Sequence, residues 1–226
     1  MRQLGPAFFI AGTGTGVGKT WVTGLLAHHF VAAGQSVSVI KWVQTGADDD
    51  IKTIQRWVPE VNGHTCMRFP APISPHLAAE REGKSVSVDD LLNQFANYRK
   101  AGDVVLTEAS GGLFTPISRQ KTFADLAHRA GLPVVVVAGN YVGALHHTIS
   151  TIWAAKAMGL NIAALVLSDY ESVPRDVAQD NSRFLSDYFA VPVIRLPHFG
   201  SFSHAARHST QCGLFATSPF IIADHV

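Results

Sequence analysis

Short apolar runs alternate with longer segments of helical pattern along most of the chain. The runs are rich in β-branched residues and apolar almost throughout; they are Ala7–Ala11, Val37–Ile40, Val104–Leu106, Pro133–Ala138, Ile162–Leu167 and Val191–Leu196. Strands of this kind are buried on both faces, as in a parallel sheet that helices cover. The sequence therefore predicts a doubly wound α/β fold, with a mostly parallel sheet and helices on both faces.

Five helices are predicted between these runs, and most of them end at a glycine. They cover Thr20–Ala33, Ser87–Lys100, Phe123–Ala130, Ala144–Met158 and Arg175–Phe189. Glycine directly after the last residue of a periodic pattern is a common helix stop. The chain has no internal repeat and no linker, so we predict one domain over residues 1–226. From His198 to Val226 the pattern is less regular, and we predict an irregular C-terminal segment.

Composition narrows the class of protein. The 226 residues are 47% hydrophobic and 15% charged, which is typical of a globular domain. Lys and Arg number 18 against 17 Asp and Glu, so the chain lacks the basic excess of a nucleic-acid binder. No apolar stretch approaches the roughly 18–20 residues of a membrane span. Cys66 and Cys212 match no metal-binding spacing, and we expect unpaired thiols in the reducing cytoplasm.

A glycine-rich segment follows the first apolar run and opens a predicted helix. It reads GTGTGVGKT over residues 12–20 and resembles a phosphate-binding P-loop. In such a loop backbone amides bind phosphate oxygens, Lys19 reaches the β- and γ-phosphates, and the Thr20 hydroxyl can bind Mg²⁺. The loop is one residue longer than the common form, because its first glycine is Gly12 and position 13 is Thr13. A dinucleotide-binding turn is the alternative, but its G-x-G-x-x-G spacing is not met here.

Charged residues stand just beyond the second and third apolar runs, where ligands bind in doubly wound folds. Lys41 either points into the predicted cleft or is an ordinary exposed lysine. The Asp48–Asp50 stretch opens a helical segment, so it fits either the helix dipole or a Mg²⁺ site. Glu108, followed by Ala109-Ser110-Gly111-Gly112, has the position of a Mg²⁺-binding acid, and a helix-capping glutamate is the alternative.

Five sequence blocks together resemble the ATP-dependent dethiobiotin synthetase family. In chain order they are Gly12–Thr20, Lys41-x-x-x-Thr45-Gly46, Ser74-Pro75-His76, Glu108–Gly112 and Phe114–Ile117. The family uses the same elongated P-loop. The resemblance implies a P-loop NTPase-like fold and an ATP-dependent cyclo-ligase of biotin biosynthesis. Such an enzyme joins CO₂ to 7,8-diaminopelargonic acid through a carbamate and a carbamic-phosphoric anhydride, and releases dethiobiotin, ADP and phosphate.

The resemblance also implies roles for individual residues at the nucleotide. Lys19 and Lys41 would be the catalytic lysines, and Mg²⁺ would be held by Thr20, Asp50 and Glu108. Asp50 is preferred to Asp48 and Asp49 because it matches the acid that precedes the helix in the family. ATP would be bound by three segments: Gly14, Gly16, Val17, Gly18, Lys19 and Thr20; Glu108, Ala109, Ser110 and Gly111; and Ser168, Pro197, His198 and Phe199.

The diamine would be bound by residues from two subunits of a homodimer. Thr15, Lys41 and Thr45 would contact its amines or the carbamate, and the main chain of the partner's Gly143, Ala144 and Leu145 would bind its distal carboxylate. Three positions depart from the family, which has Asn at His146 and Ser168 and often Glu at Gly16. Serine lacks the paired donor and acceptor of an amide, which implies either weaker base discrimination or another residue that supplies it.

A nucleotide-switch ATPase of the ParA/MinD type is the alternative function. Those proteins usually carry an additional lysine early in the P-loop, and none occurs here between Gly12 and Lys19. The tail Thr217–Val226 has no basic amphipathic pattern for membrane binding. A small-molecule kinase would need an Arg-rich lid, and a glutamine-dependent relative would need a second domain. The cyclo-ligase is therefore the preferred hypothesis.

Overall fold

Seven parallel strands form one sheet in the computed structural model, which describes residues 5–99, 102–216 and 219–220. Their order is β3-β2-β4-β1-β5-β6-β7, and every neighbouring pair in it is parallel. The strands are β1 (Ala7–Gly12), β2 (Val37–Thr45), β3 (Asn62–Phe69), β4 (Val104–Gly112), β5 (Val134–Asn140), β6 (Ile162–Asp169) and β7 (Val193–Leu196). The predicted doubly wound α/β fold is confirmed.

Helices cover both faces of this sheet. Within the described ranges they are α1 (Lys19–Ala32), α2 (Asp50–Trp57), α3 (Pro75–Arg81), α4 (Val88–Tyr98), α5 (Phe123–Ala130), α6 (Ala144–Ala157), α7 (Arg175–Tyr188) and α8 (Phe202–Gln211). The five predicted helices are all present, with ends that differ by at most two residues. Ser87 begins α4 as its N-cap, with a side chain that accepts a hydrogen bond from Asp90 N, and Lys100 lies outside the described residues.

Alternation along the strands divides the core into two layers. In β1, Phe8 and Ile10 pack with α1, α2 and α8, whereas Phe9 and Ala11 pack with helices α3 to α7 on the opposite face. Successive side chains of a strand point to opposite faces, so a strand covered on both sides has to be apolar at every position. This is the physical reason for the unbroken apolar runs in the sequence.

Three elements were not predicted. Strand β3 was not predicted because its sequence, NGHTCMRF, is largely polar. The strand lies half-buried at the edge of the sheet. Helix α3 begins at Pro75, a residue well suited to a first helical turn. Helix α8 corrects the prediction of an irregular segment over His198–Val226, since Ser201 caps it and Phe202 and Ala205 bury its inner face.

Two other expectations concern residues at the ends of the chain that the structure does not fully describe. Most of Thr217–Val226 lies outside the described residues, so the expectation for that tail is not addressed by the structure. One domain over residues 1–226 also stays a prediction. In the part of the chain that is described, none of the helices has the length and apolar character needed to cross a bilayer.

Candidate active site

The P-loop connects β1 to α1 as a tight turn beneath which Val17 is buried. Gly16 and Gly18 have φ angles of 75° and 94°, in the left-handed region that favours glycine. A Cβ at Gly12 would lie 2.7 Å from the Gly14 carbonyl oxygen, so the loop passes too close for any side chain there. Gly18 is the N-cap of α1, and the first turn of that helix therefore faces the loop as an anion-binding site.

Lys19 lies over this loop rather than in solvent. Its Nζ donates a hydrogen bond to the Gly14 carbonyl oxygen at 2.9 Å, and the residue is buried. Burial and, next, the nearby positive charge of Lys41 lower the pKa of Lys19 to about 8. Two lysine side chains are thus directed to the same small region, which makes it a strong site for an anion.

Lys41 is a buried lysine paired with two carboxylates. It lies opposite Glu108 in the β2–β4 register, and its Nζ is 2.7 Å from Glu108 Oε1 and 2.6 Å from Asp50 Oδ2. The same Nζ donates a hydrogen bond to the Ala109 carbonyl oxygen at 3.1 Å. Burial alone would lower the pKa of Lys41, but the charges of Glu108 and Asp50 outweigh it and raise the pKa. Lys41 is therefore an ammonium, and the exposed-lysine alternative is wrong.

Glu108 joins β4 to the first turns of α1. Its Oε1 accepts a hydrogen bond from Thr20 Oγ1 at 3.0 Å, and its Oε2 accepts one from Thr23 Oγ1 at 2.6 Å. Only 1% of the residue is exposed. These contacts lie within α1 rather than at the N-cap of a helix, so the helix-capping alternative for Glu108 is wrong.

The three consecutive aspartates have different neighbours. Asp50 is the first residue of α2 and belongs to the Lys41 cluster. Burial alone would raise the pKa of the Asp50 carboxyl, but the charge of Lys41 and the hydrogen bonds to its neighbours together lower it. Asp49 caps α2 through Lys52 N at 3.0 Å and pairs with Arg68 Nη2 at 2.7 Å. Asp48 is exposed. The structure thus brings Asp50, and neither of its neighbours, to the side chains of Lys41 and Glu108.

The rest of the Glu108–Gly112 block lies against the P-loop. Leu113 N, directly after the block, donates to the Gly12 carbonyl oxygen at 2.8 Å, and the Ser110 hydroxyl donates to the Val43 carbonyl oxygen. Gly111 has a φ of 72°, and a Cβ there would lie 2.6 Å from Thr115 Oγ1. Of the two predicted substrate threonines, Thr15 is exposed in the loop and Thr45 is half-buried at the end of β2.

A second group of predicted residues lines a cavity of about 630 Å³ on the other side of the P-loop. Ser168, Pro197, His198 and Phe199 all belong to its wall, together with Gly16 and Gly18. The cavity therefore opens directly onto the phosphate-binding loop. Two of its aromatic wall residues, Trp21 and Tyr170, were not predicted, because nothing in the sequence relates them to the later strands.

Comparison with known proteins gives the family. The model of a family described as an AAA domain matches residues 6–200. The ATP-dependent dethiobiotin synthetase BioD of Anoxybacillus flavithermus is 32% identical over 208 residues, which cover 87% of this chain and 94% of that protein. The BioD of Crocosphaera subtropica is 35% identical over 162 residues, 71% of this chain and 73% of that protein.

The chain belongs to the ATP-dependent dethiobiotin synthetase family. This membership assigns it to a family of ATP-dependent ligases. Among solved structures, chloroplast FtsY from Physcomitrella patens matches with a TM-score of 0.56 at 15% identity, over 92% of this chain and 66% of that one. At such low identity the match supports the P-loop NTPase-like fold alone.

In this dethiobiotin synthetase family member, oxygen donors of the kind that Mg²⁺ prefers converge beside the P-loop. They are the Thr20 hydroxyl and the carboxylates of Glu108 and Asp50, all of them hard ligands. Within the described ranges no three His, Cys, Asp or Glu side chains form a metal-binding group. Magnesium takes few protein ligands and completes its shell with phosphate oxygens and water. The residues therefore fit the ion.

The loop before α6 lies at the end of β5. Gly143 is its N-cap with a φ of 100°, and Ala144 N donates to the Tyr141 carbonyl oxygen at 3.0 Å within the turn. Gly143 is exposed, and Leu145 is half-buried. His146 is also exposed.

A buried polar network that the sequence did not predict supports the ends of β5, β6 and β7. Asn140 Nδ2 donates to Asp169 Oδ1 at 2.7 Å, and Asn181 Nδ2 donates to Asn140 Oδ1 at 2.8 Å. Arg195 Nε donates to Asp169 Oδ2 at 2.9 Å. Buried polar groups need such partners, and here each one fixes the position of the next. The network holds Ser168, the neighbour of Asp169, at the wall of the cavity.

Proposed function

We propose that this chain joins CO₂ to 7,8-diaminopelargonic acid and closes the ureido ring of dethiobiotin, with ATP as the phosphoryl donor. The observation that carries the proposal is the position of Lys41. Its ammonium lies between Asp50 and Glu108, at 2.6 and 2.7 Å, beside a P-loop whose own lysine reaches the same region. Family membership supports the reaction class.

The reaction has three balanced steps. One amine of the substrate attacks CO₂ and loses a proton, which gives a carbamate. A carbamate oxygen then attacks the γ-phosphorus of ATP, the bond to the bridging oxygen of ADP breaks, and ADP leaves with that electron pair. In the last step the second amine attacks the carbonyl carbon of this carbamic-phosphoric anhydride. Phosphate leaves with the carbamate oxygen, and the amine loses a proton.

The role of the two lysines is electrostatic. Phosphoryl transfer needs positioning and positive charge around the transferring group more than covalent assistance. Lys19 leaves the Gly14 carbonyl oxygen and binds the γ-phosphate. Lys41 neutralises the carbamate and the phosphoryl group that it attacks. Thr15 and Thr45 hydrogen-bond the diamine or the carbamate.

The nucleotide is bound at both sides of the P-loop. The amides of Gly14–Gly18 and the Thr20 hydroxyl bind the phosphates, Glu108–Gly111 lie along them, and Ser168 with Pro197–Phe199 contacts the base. Thr20, Asp50 and Glu108 are the residues that would hold Mg²⁺. When bound, this ion supplies positive charge that offsets the charge of the triphosphate.

The active enzyme in this proposal is a cytoplasmic homodimer with composite sites. The main chain of Gly143, Ala144 and Leu145 from one subunit binds the distal carboxylate of the substrate in the site of the other. The exposed, left-handed Gly143 at the start of α6 supports this role, since a helix N-terminus favours an anion. The exposed tip residue beside it, Val142, is available for contact with a second subunit.

Phosphate release by the purified protein tests the proposal. The assay contains Mg-ATP and bicarbonate, with or without 7,8-diaminopelargonic acid, and mass spectrometry identifies the product. We expect phosphate release that depends on the diamine and one cyclic urea formed for each phosphate. Slow release that is indifferent to the diamine, with no new product, would instead support a ParA/MinD-like switch ATPase.

A further inference from the structure

Trp21 occupies a position that the proposed reaction leaves unused. It directly follows Thr20 in α1, and it lines both the 630 Å³ cavity beside Ser168 and a second cavity of about 900 Å³ beside Asp48–Asp50. The indole therefore stands at the border between the phosphate-binding loop and the cavity proposed for the base. A flat aromatic side chain at this border can contact a ligand whose phosphates occupy the P-loop.

Neighbouring aromatic rings hold the indole in one orientation. Trp57 and Phe202 stack on each other at 4.5 Å with an interplanar angle of 5°. Trp21 meets both of them edge-on, at 5.3 Å and 73° for Trp57 and at 5.7 Å and 74° for Phe202. Offset and edge-to-face contacts are the arrangements that aromatic pairs favour. The Trp21 ring is thus positioned before any nucleotide binds.

Gly24, one turn further along α1, makes this packing possible. A Cβ at that position would lie 2.9 Å from Trp57 and 3.0 Å from Phe202. Glycine inside a helix is less favourable than alanine, so its presence there needs a packing reason. The close approach of the two rings that support Trp21 is that reason.

The cavity offers flat apolar surface, and three polar side chains of its wall, Glu171, Ser172 and His198, are exposed to solvent rather than fixed by burial. Both carboxylate oxygens of Asp169 already accept hydrogen bonds, from Asn140 and Arg195. The Ser168 hydroxyl lies at the P-loop end, 2.9 Å from where a Cβ of Gly18 would be. Tyr170 donates its hydroxyl proton to the Gly16 carbonyl oxygen at 3.4 Å. Aromatic and apolar faces of Trp21, Tyr170 and Phe199 make up much of the remaining wall.

We infer that Trp21 is a stacking surface for the base of the nucleotide, and that this enzyme binds purine and pyrimidine nucleoside triphosphates with similar affinity. Stacking tolerates different bases because each has a π-face, whereas strong discrimination needs hydrogen-bonding groups built for one base. The inference rests on the proposed function only in that the same P-loop binds the triphosphate. Trp21 thus determines affinity for the base and has no part in the chemical steps.

Equilibrium binding tests the inference without any turnover. Calorimetry with Mg²⁺ compares ATP, GTP, CTP, UTP and inorganic tripolyphosphate, which occupies the P-loop but has no base. We expect the four nucleotides to bind within about tenfold of one another and tripolyphosphate to bind at least about tenfold more weakly. A preference above about 100-fold for one base would overturn the inference, because such selectivity requires hydrogen-bond readout. A protein that binds nucleotides in this way but lacks diamine-dependent turnover would contradict the proposed reaction alone.

Three variants separate stacking from packing. Trp21→Leu should weaken binding of all four nucleotides about tenfold and leave tripolyphosphate affinity unchanged. Trp21→Phe retains a ring and should restore most of the affinity. Trp57→Leu is the matched control. It loosens the ring cluster that supports Trp21, but Trp57 does not line the 630 Å³ cavity, so its loss of nucleotide affinity should be clearly smaller than that of Trp21→Leu. Unchanged nucleotide affinity in Trp21→Leu, an equal loss for tripolyphosphate, or an equal loss in Trp57→Leu would each overturn the role of Trp21.

Discussion

The two halves of the sheet present different polar groups at their carboxyl ends. On the side of β2 and β4, the ammonium of Lys41 lies within hydrogen-bonding distance of two carboxylates, next to the P-loop. On the side of β5, β6 and β7, the buried polar groups bond to each other, and the cavity wall combines aromatic side chains with exposed polar ones. The first half thus holds fixed charges beside the P-loop, whereas the buried polar groups of the second half bond to one another.

This difference indicates how the two halves contribute to the reaction. Fixed charges act most strongly where they are buried and already oriented, because no reorganisation is then needed when charge moves. A rigid wall with few free charges contributes binding without chemistry. Substitutions in the first half should therefore lower kcat, and substitutions in the second should change stability or nucleotide affinity.

Lys41→Met should have the largest effect. Loss of the ammonium removes charge stabilisation at the transferring phosphoryl group, and we expect kcat to fall about 10²–10³-fold. Steady-state phosphate release with saturating ATP and diamine measures it, and circular dichroism checks the fold. Lys52→Met is the matched control, because the Lys52 side chain is 78% exposed on α2. A near-normal kcat in Lys41→Met would remove the proposed role of this lysine.

Asn140→Ala tests the other half of the sheet. The change removes the hydrogen bonds that link Asn140 to Asp169 and to Asn181 inside the core, so we expect the free energy of unfolding to fall by about 2–3 kcal/mol. Urea denaturation measures the loss, and kcat at saturating substrate should stay within about threefold of the wild-type value. The exposed Asn161, changed to alanine, is the control and should alter stability by no more than about 0.5 kcal/mol. A large loss of kcat in Asn140→Ala would erase the distinction between the halves.

Asp50→Asn and Asp49→Asn form a matched pair within one helix turn. Asp50→Asn removes a charge that faces Lys41, so kcat/KM should fall about 10- to 100-fold and the Mg²⁺ requirement should rise. Asp49→Asn should have little effect, since asparagine caps helices as well as aspartate does and a partly exposed ion pair contributes little. Magnesium titrations of both variants measure this. Equal effects would mean that the metal site was assigned to the wrong carboxylate.

The smallest of the expected effects is the change of ATP affinity with pH. Burial and the Lys41 charge lower the pKa of Lys19 to about 8, so the free protein loses this positive charge as the pH rises through that value. A triphosphate favours the charged form, and binding must therefore take up a proton. We expect ATP affinity to fall about tenfold between about pH 7 and about pH 9.

Lys19→Arg is the control for this titration, because arginine keeps its charge throughout the range. Calorimetry in buffers of different ionisation enthalpy measures the proton uptake. The same decline in affinity in Lys19→Arg would show that another group titrates.

The sheet was predictable because burial on both faces leaves a simple trace in the sequence. Five of the six apolar runs form the buried strands β1, β2, β4, β5 and β6. The sixth run, Val191–Leu196, contains β7, which begins at its third residue, Val193. Strand β3 is half-exposed on both faces and has a polar sequence, so its pairing with β2 depends on contacts across the fold. The same holds for α8, whose inner face is only Phe202, Ala205, Ala206 and Ser209.

The candidate site also contains some features that the sequence predicts and others that depend on contacts across the fold. Gly12–Thr20 is a local motif, and its position after a strand predicted both its shape and the direction of Lys19. The contact between Lys41 and Glu108 follows from strand order, which brings β2 beside β4 although 67 residues separate them. Trp21 could not be predicted, because its orientation depends on Trp57 and Phe202 from two other helices.

Oxygen transfer from CO₂ to phosphate tests the central claim most directly. A single turnover with ¹⁸O-labelled CO₂, ATP and the diamine is quenched before the label exchanges with water, and the released phosphate is analysed by mass. Attack by the carbamate and departure of phosphate with the carbamate oxygen predict one ¹⁸O in each phosphate. Phosphate without the label would mean that water attacks the γ-phosphate, which would contradict the proposed reaction.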